Sequence, residues 1–284
     1  MIAAVTRLVI AALVLAGCGR DERVAAPVAN LATPVAAFPP GWVRIEPSEE
    51  RVRCANHSRD EWRIAIDRGA ARISKATTRE PDSGPPLPFE LPKLQEVRGR
   101  RHVLAVDGGF LIGFDAGEWG GSLYWFSRDG GKHAKLGGEN VHGLVALGPD
   151  TALAIEGLAH LTLSEGAVRW LERKQGSFAD AGVTKLPDAP STHVLAGDVV
   201  YVLTTGSLVR VSRDRRATVV QPVSTAGLYP DSMAIDASGT LWVGMRQLVL
   251  RLAPDRERFS ETWLVREDCR RAELVELDCV CRGG

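Results

Sequence analysis

Short apolar segments alternate with turn sequences along most of the chain. Residues 103–106 and 110–113 flank the turn Asp107-Gly108-Gly109, an arrangement typical of a β-hairpin. A third apolar segment, residues 123–126, ends at Ser127-Arg128-Asp129-Gly130. This alternation predicts antiparallel strands joined by tight turns, and therefore an all-β fold.

The same arrangement returns further along the chain. Apolar hairpins surround turns at 148–150, 197–198 and 236–239. Successive turns are separated by about 40 to 48 residues, close to the period of a four-stranded propeller blade. One such sheet cannot bury both faces alone, and stacking blades into a closed ring removes exposed sheet edges. Two β-sandwiches are the structural alternative, but they predict no such period.

An additional blade is predicted before the first of these repeats. Its strands are expected at 43–45, 52–54, 62–66 and 71–73, which gives five blades. The Pro-rich segment 80–92 is most simply a long surface loop, and a sixth blade at about 80–100 is the alternative. The prediction is a β-propeller of five to six four-stranded blades over residues 41–284. The last repeat, Asp236-Ala-Ser-Gly239-Thr-Leu-Trp242-Val-Gly244, resembles the hairpin of NHL-type and sensor-kinase-type propeller repeats.

The N-terminus has a different pattern. Arg7 precedes an apolar segment at 8–15 that is too short to span a bilayer, and small residues follow it. Leu15-Ala16-Gly17-Cys18 resembles the lipobox of bacterial lipoproteins. That resemblance implies that residues 1–17 are a signal peptide, that Cys18 carries diacylglycerol, and that its amine is acylated, for example with palmitate.

Residues 18–40 contain the lipid-bearing cysteine and a segment rich in Ala, Val and Pro without helical or strand periodicity, which predicts a disordered tether. The chain contains 35 basic and 35 acidic residues and no basic tract, so nucleic acid is not an expected partner. Two or more acyl chains give a lasting membrane anchor. Because Gly19 rather than Asp follows Cys18, the lipoprotein resemblance implies the outer membrane, facing the periplasm.

Four cysteines remain beside Cys18, an even number that suits an oxidising compartment. Cys279 and Cys281 point to opposite faces of an extended segment, so one is expected to pair with Cys269 and the other with Cys54. A four-thiolate zinc site is the alternative, but such sites usually space paired cysteines by two residues. We expect disulfides, with no metal and no cofactor.

A glycine-rich segment at 113–121 holds the first candidate binding residues. Asp115 and Trp119, together with Glu118, suit a polar or cationic ligand beside an aromatic surface. The alternative is a wide hairpin turn in which the carboxylates cap backbone amides and the tryptophan packs between blades.

A second group consists of residues near strand ends in the repeat that follows. These are Asn140, His142, Glu156 and His160. Histidines beside carboxylates can bind a metal or perform acid–base chemistry, so His142, Glu156 and His160 join Glu118 as low-ranking catalytic candidates, and Asn140 as a binding residue. The sequence contains no Gly-x-Ser-x-Gly, phosphate-loop or His-Glu-x-x-His motif.

These observations favour a lipid-anchored propeller of the cell envelope that binds a protein or glycan without catalysis. An envelope hydrolase or lyase, acting on saccharide or ester through a carboxylate and histidine cluster at one rim, is the alternative. The enzyme hypothesis requires the candidate side chains to converge at that rim. Propellers host many unrelated functions, so the fold does not choose between the two.

Overall fold

The structure of the protein is a computed structural model that describes residues 38–76, 82–94 and 97–282. The predicted signal peptide, Cys18 and the tether up to residue 37 lie outside the described residues. No helix among the described residues is long and apolar enough to cross a membrane.

The described chain begins with a strand, a helix and a hairpin. These are β1 (Trp42–Ile45), α1 (Glu49–Asn56), β2 (Trp62–Asp67) and β3 (Ala70–Lys75). The strand predicted at 52–54 is therefore wrong. Ser48 caps a helix here, because its Oγ accepts a hydrogen bond from the Arg51 amide at 3.1 Å, and Glu49 and Glu50 favour the positive end of the helix dipole.

Four meandering antiparallel sheets follow, which we call blades I to IV. Blade I contains β4 (Arg100–Val106), β5 (Gly109–Asp115), β6 (Gly121–Ser127) and β7 (His133–Gly137). Blade II contains β8 (Val141–Ala146), β9 (Thr151–His160), β10 (Leu163–Lys174) and β11 (Ser177–Leu186). Blade III contains β12 (Pro190–Ala196), β13 (Val199–Thr204), β14 (Ser207–Ser212) and β15 (Ala217–Pro222). Blade IV contains β16 (Ser232–Ile235), β17 (Leu241–Gly244), β18 (Val249–Asp255) and β19 (Arg258–Arg266).

The fold is an all-β propeller. The first strands of neighbouring blades contact one another in the order β4, β8, β12 and β16, and β2 of the short β2–β3 sheet packs against β16 and β17. The first strands therefore surround a common axis. The predicted additional blade has only two strands, and in the described part of 80–100 the one β-bridge joins Ser83 to His102.

The ring closes through pairing between distant parts of the chain. β1 forms the outer edge of blade IV, with Val43 opposite Val265, so residues 43–45 do not belong to the additional blade as predicted. Adjacent blades bury apolar faces against each other, as Ile155 and Trp170 of blade II do against Val202 and its neighbours in blade III. This stacking supplies the core that a single sheet lacks.

Asp-containing turns fix the hairpins that made the repeat recognisable. In blade IV, Asp236 accepts hydrogen bonds from the Ser238 amide at 2.8 Å and the Thr240 amide at 3.1 Å, and from Trp242 Nε1 at 2.8 Å. These contacts lower the pKa of Asp236 against the opposing effect of burial. Asp236 and Trp242 stand at this spacing because the Asp236 carboxylate binds both the turn amides and the indole of the next strand.

Two disulfides fasten the C-terminus. Cys54 of α1 bonds to Cys279, and Cys269 bonds to Cys281. Cys279 and Cys281 lie on β21 (Asp278–Arg282), which pairs with β20 (Arg271–Val275), and Cys269 ends the 3-10 helix Glu267–Cys269. The expected pairing of one cysteine of β21 with each distant partner is present. It ties the start of the described domain to its end.

Candidate functional site

The glycine-rich segment forms a tight turn at the end of blade I where β5 gives way to β6. A 3-10 helix, Gly117–Trp119, starts at Gly117 and is followed by Gly120, and both glycines have positive φ, 60° and 89°. Asp115 Oδ1 accepts a hydrogen bond from the Gly117 amide at 2.9 Å. This carboxylate caps the turn, and the glycines allow left-handed backbone that other residues adopt at a cost.

Two side chains from outside the turn hold its backbone. Buried Asn140, just before β8, donates from Nδ2 to the Gly117 carbonyl at 2.8 Å and accepts at Oδ1 from the Ala116 amide at 3.2 Å. Arg98 Nη2 donates to the Trp119 carbonyl at 2.6 Å. Despite this fixed backbone, the Trp119 side chain is 67% exposed and does not pack between blades.

Two carboxylate–histidine pairs join blade I to blade II at this turn. Asp115 Oδ2 lies 3.7 Å from His142 Nδ1, and Glu118 Oε2 lies 3.4 Å from His160 Nε2. His142 Nε2 lies 3.0 Å from the Gly157 carbonyl, so its ring donates there from Nε2. The strand ends that carry these residues meet at one rim, which brings four of the predicted side chains together.

Glu156 takes no part in these pairs. It is buried and accepts two hydrogen bonds from Arg169 Nε, at 2.9 and 3.1 Å, and Arg169 Nη1 binds Asp180 Oδ2 at 2.8 Å. Burial raises the pKa of Glu156 although Arg169 opposes this. Glu156 and Arg169 lie in the wall of a cleft of about 510 Å³ on blade II.

A group of ionisable residues lies near the propeller axis, and of these only His142 was named from the sequence. His102, His142 and His193 lie on β4, β8 and β12, the first strands of blades I to III. Arg63 of β2 and Asp231, just before β16, form an ion pair of 3.6 Å. A histidine on the first strand of three successive repeats was the available signal, and it identifies residues facing the axis.

His102, His193 and Asp231 of this axial group have strongly shifted pKa values. Burial, followed by the charges of Arg100, His142 and His193, lowers the pKa of His102 to about 3. Burial likewise lowers the pKa of His193 to about 4. Burial raises the pKa of Asp231 to about 6, although Arg63 opposes this. The imidazoles of His102 and His193 are therefore neutral near neutral pH.

The His102 ring is held from one side. Its Nδ1 lies 2.8 Å from Ser83 Oγ, and its buried Nε2 has no hydrogen-bond partner in the described part of the chain. Within residues 38–76, 82–94 and 97–282, no group of three His, Cys, Asp or Glu side chains is arranged to hold a metal ion.

No family model matches the chain, and no curated protein matches it. Among solved structures, it is similar to the extracellular domain of BT4673 from B. thetaiotaomicron, with 12% identity, a TM-score of 0.43, and 60% of this chain covered. A protein from Lactobacillus plantarum has 19% identity and a TM-score of 0.40 over 71% of this chain. Apo AztD from Citrobacter koseri has 13% identity and a TM-score of 0.36 over 70%. The matches span 23%, 62% and 52% of those three chains.

Proposed function

We propose that this protein is an exported, lipid-anchored β-propeller of the bacterial envelope that binds a protein partner through its rim and performs no catalysis. The lipobox-like Leu15-Ala16-Gly17-Cys18 supports lipidation at Cys18, and residues 18–40 supply the tether. The Cys54–Cys279 and Cys269–Cys281 disulfides support export, because such bonds persist in oxidising compartments. The absence of Asp after Cys18 supports the outer membrane, facing the periplasm.

One observation carries the binding proposal: an exposed tryptophan on a rigid turn. The backbone of 116–119 is held by Asn140 and Arg98, yet the Trp119 indole is 67% exposed. A large aromatic group presented on an ordered backbone loses little conformational entropy on binding, and tryptophan is enriched among residues that dominate interface energies. Trp119 is therefore the expected anchor.

A second exposed apolar side chain follows the histidine that pairs with this turn. Glu118 pairs with His160, and the next residue, Leu161, is 93% exposed at the tip of the β9–β10 hairpin with a positive φ of 53°. Apolar anchors surrounded by partly exposed charged groups are the composition of a protein interface. This favours a protein partner over an envelope glycan.

Capture of a partner from envelope extract tests the binding proposal. The purified protein carrying Trp119→Ala should retain less than about a tenth of the partner bound by wild type, the loss expected for an interface hot spot. Leu277→Ala is the matched control, because Leu277 is 83% exposed but belongs to the turn between β20 and β21. Equal retention by all three proteins would contradict a role for the rim.

Lipidation is tested separately from binding. Labelled palmitate should enter the wild-type protein in cells, and Cys18→Ser should abolish both labelling and membrane association. A Cys18→Ser protein that still fractionates with membranes would contradict the anchor without affecting the rim proposal.

The alternative, a hydrolase or lyase, rests on the Asp115–His142 pair of 3.7 Å at the rim. His142 donates from Nε2 to the Gly157 carbonyl, and its Nδ1 faces Asp115, so both ring nitrogens are directed at protein groups. An envelope saccharide or ester turned over by wild type, but not by Asp115→Asn or His142→Gln, would favour the enzyme.

A further inference from the structure

A cleft lies between blades III and IV, away from the Trp119 turn on blade I. This cleft of about 780 Å³ opens between the outer strands of blade III and the β18–β19 turn of blade IV. On the blade III side, Tyr201, Arg210 and Thr218 occupy directly paired positions on β13, β14 and β15. They therefore form one row across the wall of the cleft.

Contacts between the blades fix the separation of the two walls. Gln221 of β15 accepts a hydrogen bond from the Phe259 amide at 2.7 Å and donates to Glu261 Oε1 at 3.0 Å. The rings of Tyr201 and Phe259 meet edge to face with their centroids 5.7 Å apart. These contacts are made between protein groups alone, so a ligand would not have to assemble the two walls.

The charge in this cleft is unbalanced. Arg210, Arg256 and Arg258 line it, and Glu257 is the one carboxylate among its lining residues in the described chain. None of the three guanidinium groups forms a hydrogen bond or ion pair within residues 38–76, 82–94 and 97–282. Like charges gathered without matching carboxylates destabilise a folded protein and attract anions.

The other arginines of blade III differ from Arg210, because each of them has a carboxylate partner. Arg213 and Arg216 pair with Asp198 and Asp214 at 2.8 and 2.5 Å, and Arg215 pairs with Glu172. These three lie at the β14–β15 turn, where carboxylates are available to every guanidinium. Among the arginines of blade III, Arg210, which lines the cleft, is the one without a carboxylate partner in the described part of the chain.

Guanidinium groups bind phosphate oxygens through paired, charge-assisted hydrogen bonds. The cleft is much larger than one phosphate group, and Val199 and Ile235 add apolar surface beside the arginines. We propose that the cleft binds a soluble organic molecule bearing more than one phosphate group. The arginines hold the phosphates, and the apolar wall accommodates the organic part.

Titration calorimetry with the purified protein tests this, with fructose bisphosphate and inorganic phosphate as probes. Fructose bisphosphate should bind saturably at one site and more tightly than inorganic phosphate. Arg210→Gln, Arg256→Gln and Arg258→Gln should each weaken that binding about tenfold or more, since each removes a charge-assisted contact. Arg258→Lys should fall between Arg258→Gln and wild type, because it keeps the charge but loses the planar fork.

Arg128→Gln supplies the control, because Arg128 is an exposed arginine of the β6–β7 turn and its loss changes the net charge equally. Absence of saturable binding by wild type, or equal weakening by Arg128→Gln, would overturn the proposal. Circular dichroism and thermal midpoints establish that each variant is folded. Neither result bears on Trp119 and the rim, because the cleft belongs to other blades.

Discussion

The imidazole of His193 lies directly over the α-carbon of Gly143, on the neighbouring first strand. A methyl group at Gly143 would stand 1.9 Å from His193 Cε1, far inside van der Waals contact. Glycine at this position therefore lets two blades approach closely enough for an imidazole to occupy the space near the axis.

Gly143→Ala should lower the free energy of unfolding by about 1 to 3 kcal/mol, the usual cost of overpacking a filled site. Urea denaturation measures it. Gly148→Ala is the control on the same blade, because a methyl group there meets nothing within 4 Å. A Gly143→Ala protein as stable as Gly148→Ala would mean that His193 does not occupy this position.

His102 should make the protein sensitive to acid. Its folded pKa of about 3 is below the ordinary value of 6.5, so the unfolded chain binds the proton first. The contribution of His102 to the free energy of unfolding is fully present above pH 6.5 and is lost as the pH falls toward 3. At about pH 5 the loss is about 2 kcal/mol.

His102→Gln should remove that part of the pH dependence, which urea denaturation at about pH 7.5 and pH 5 measures through the change between the two values. His57→Gln is the control, because His57 is exposed at the end of α1. If both variants lose as much stability in acid as wild type, His102 does not stay neutral in the folded protein.

Asp231 should make the folded protein less stable as the pH rises, which is the opposite of the effect of His102. The pKa of Asp231 in the folded protein, about 6, lies above the ordinary value of 3.8. Its contribution to the free energy of unfolding is therefore fully present below pH 3.8 and is lost as the pH rises through 6. When the pH is raised from about 4 to about 7, the free energy of unfolding of Asp231→Asn should therefore rise by about 2 to 3 kcal/mol relative to that of wild type. Asp255→Asn, at an exposed carboxylate, should show no such gain. A constant difference between Asp231→Asn and wild type over this range would contradict the raised pKa.

The two disulfides should contribute unequally. Cys54–Cys279 joins residues separated by 225 positions, and Cys269–Cys281 joins residues separated by 12. In the chain-entropy account, loss of the long connection costs about 2.6 kcal/mol more than loss of the short one. The double variants Cys54→Ala/Cys279→Ala and Cys269→Ala/Cys281→Ala measure this by denaturation. The reverse order of stability would show that the disulfides act mainly through native-state contacts.

Local patterns in the sequence predicted the blades where strands pair with their neighbours in the chain. The turns at Asp107 and Asp236 lie where expected, because their side chains and glycines determine the hairpin locally. The prediction went wrong before residue 60. Val52 and Cys54 alternate as in a strand, but the cap at Ser48 makes this segment helical.

The remaining features depend on distant residues. β1 pairs with β19 across more than two hundred residues, which no local pattern records. The proximity of Glu118 to His160 follows from how blade I meets blade II, so the sequence could nominate these residues without showing the pair. His102 and His193 each follow polar residues at the start of a strand, and only the closed ring brings them near one axis.

The most direct test of the central claim is photo-crosslinking in the bacterium that makes the protein. A photoreactive phenylalanine at Trp119 should give one discrete crosslinked species on irradiation, which disappears when Leu161 is also changed to Ala. The same probe at Leu277, also strongly exposed, should not give that species. No crosslinked partner at Trp119, or the same partner at both positions, would contradict a binding surface at the rim.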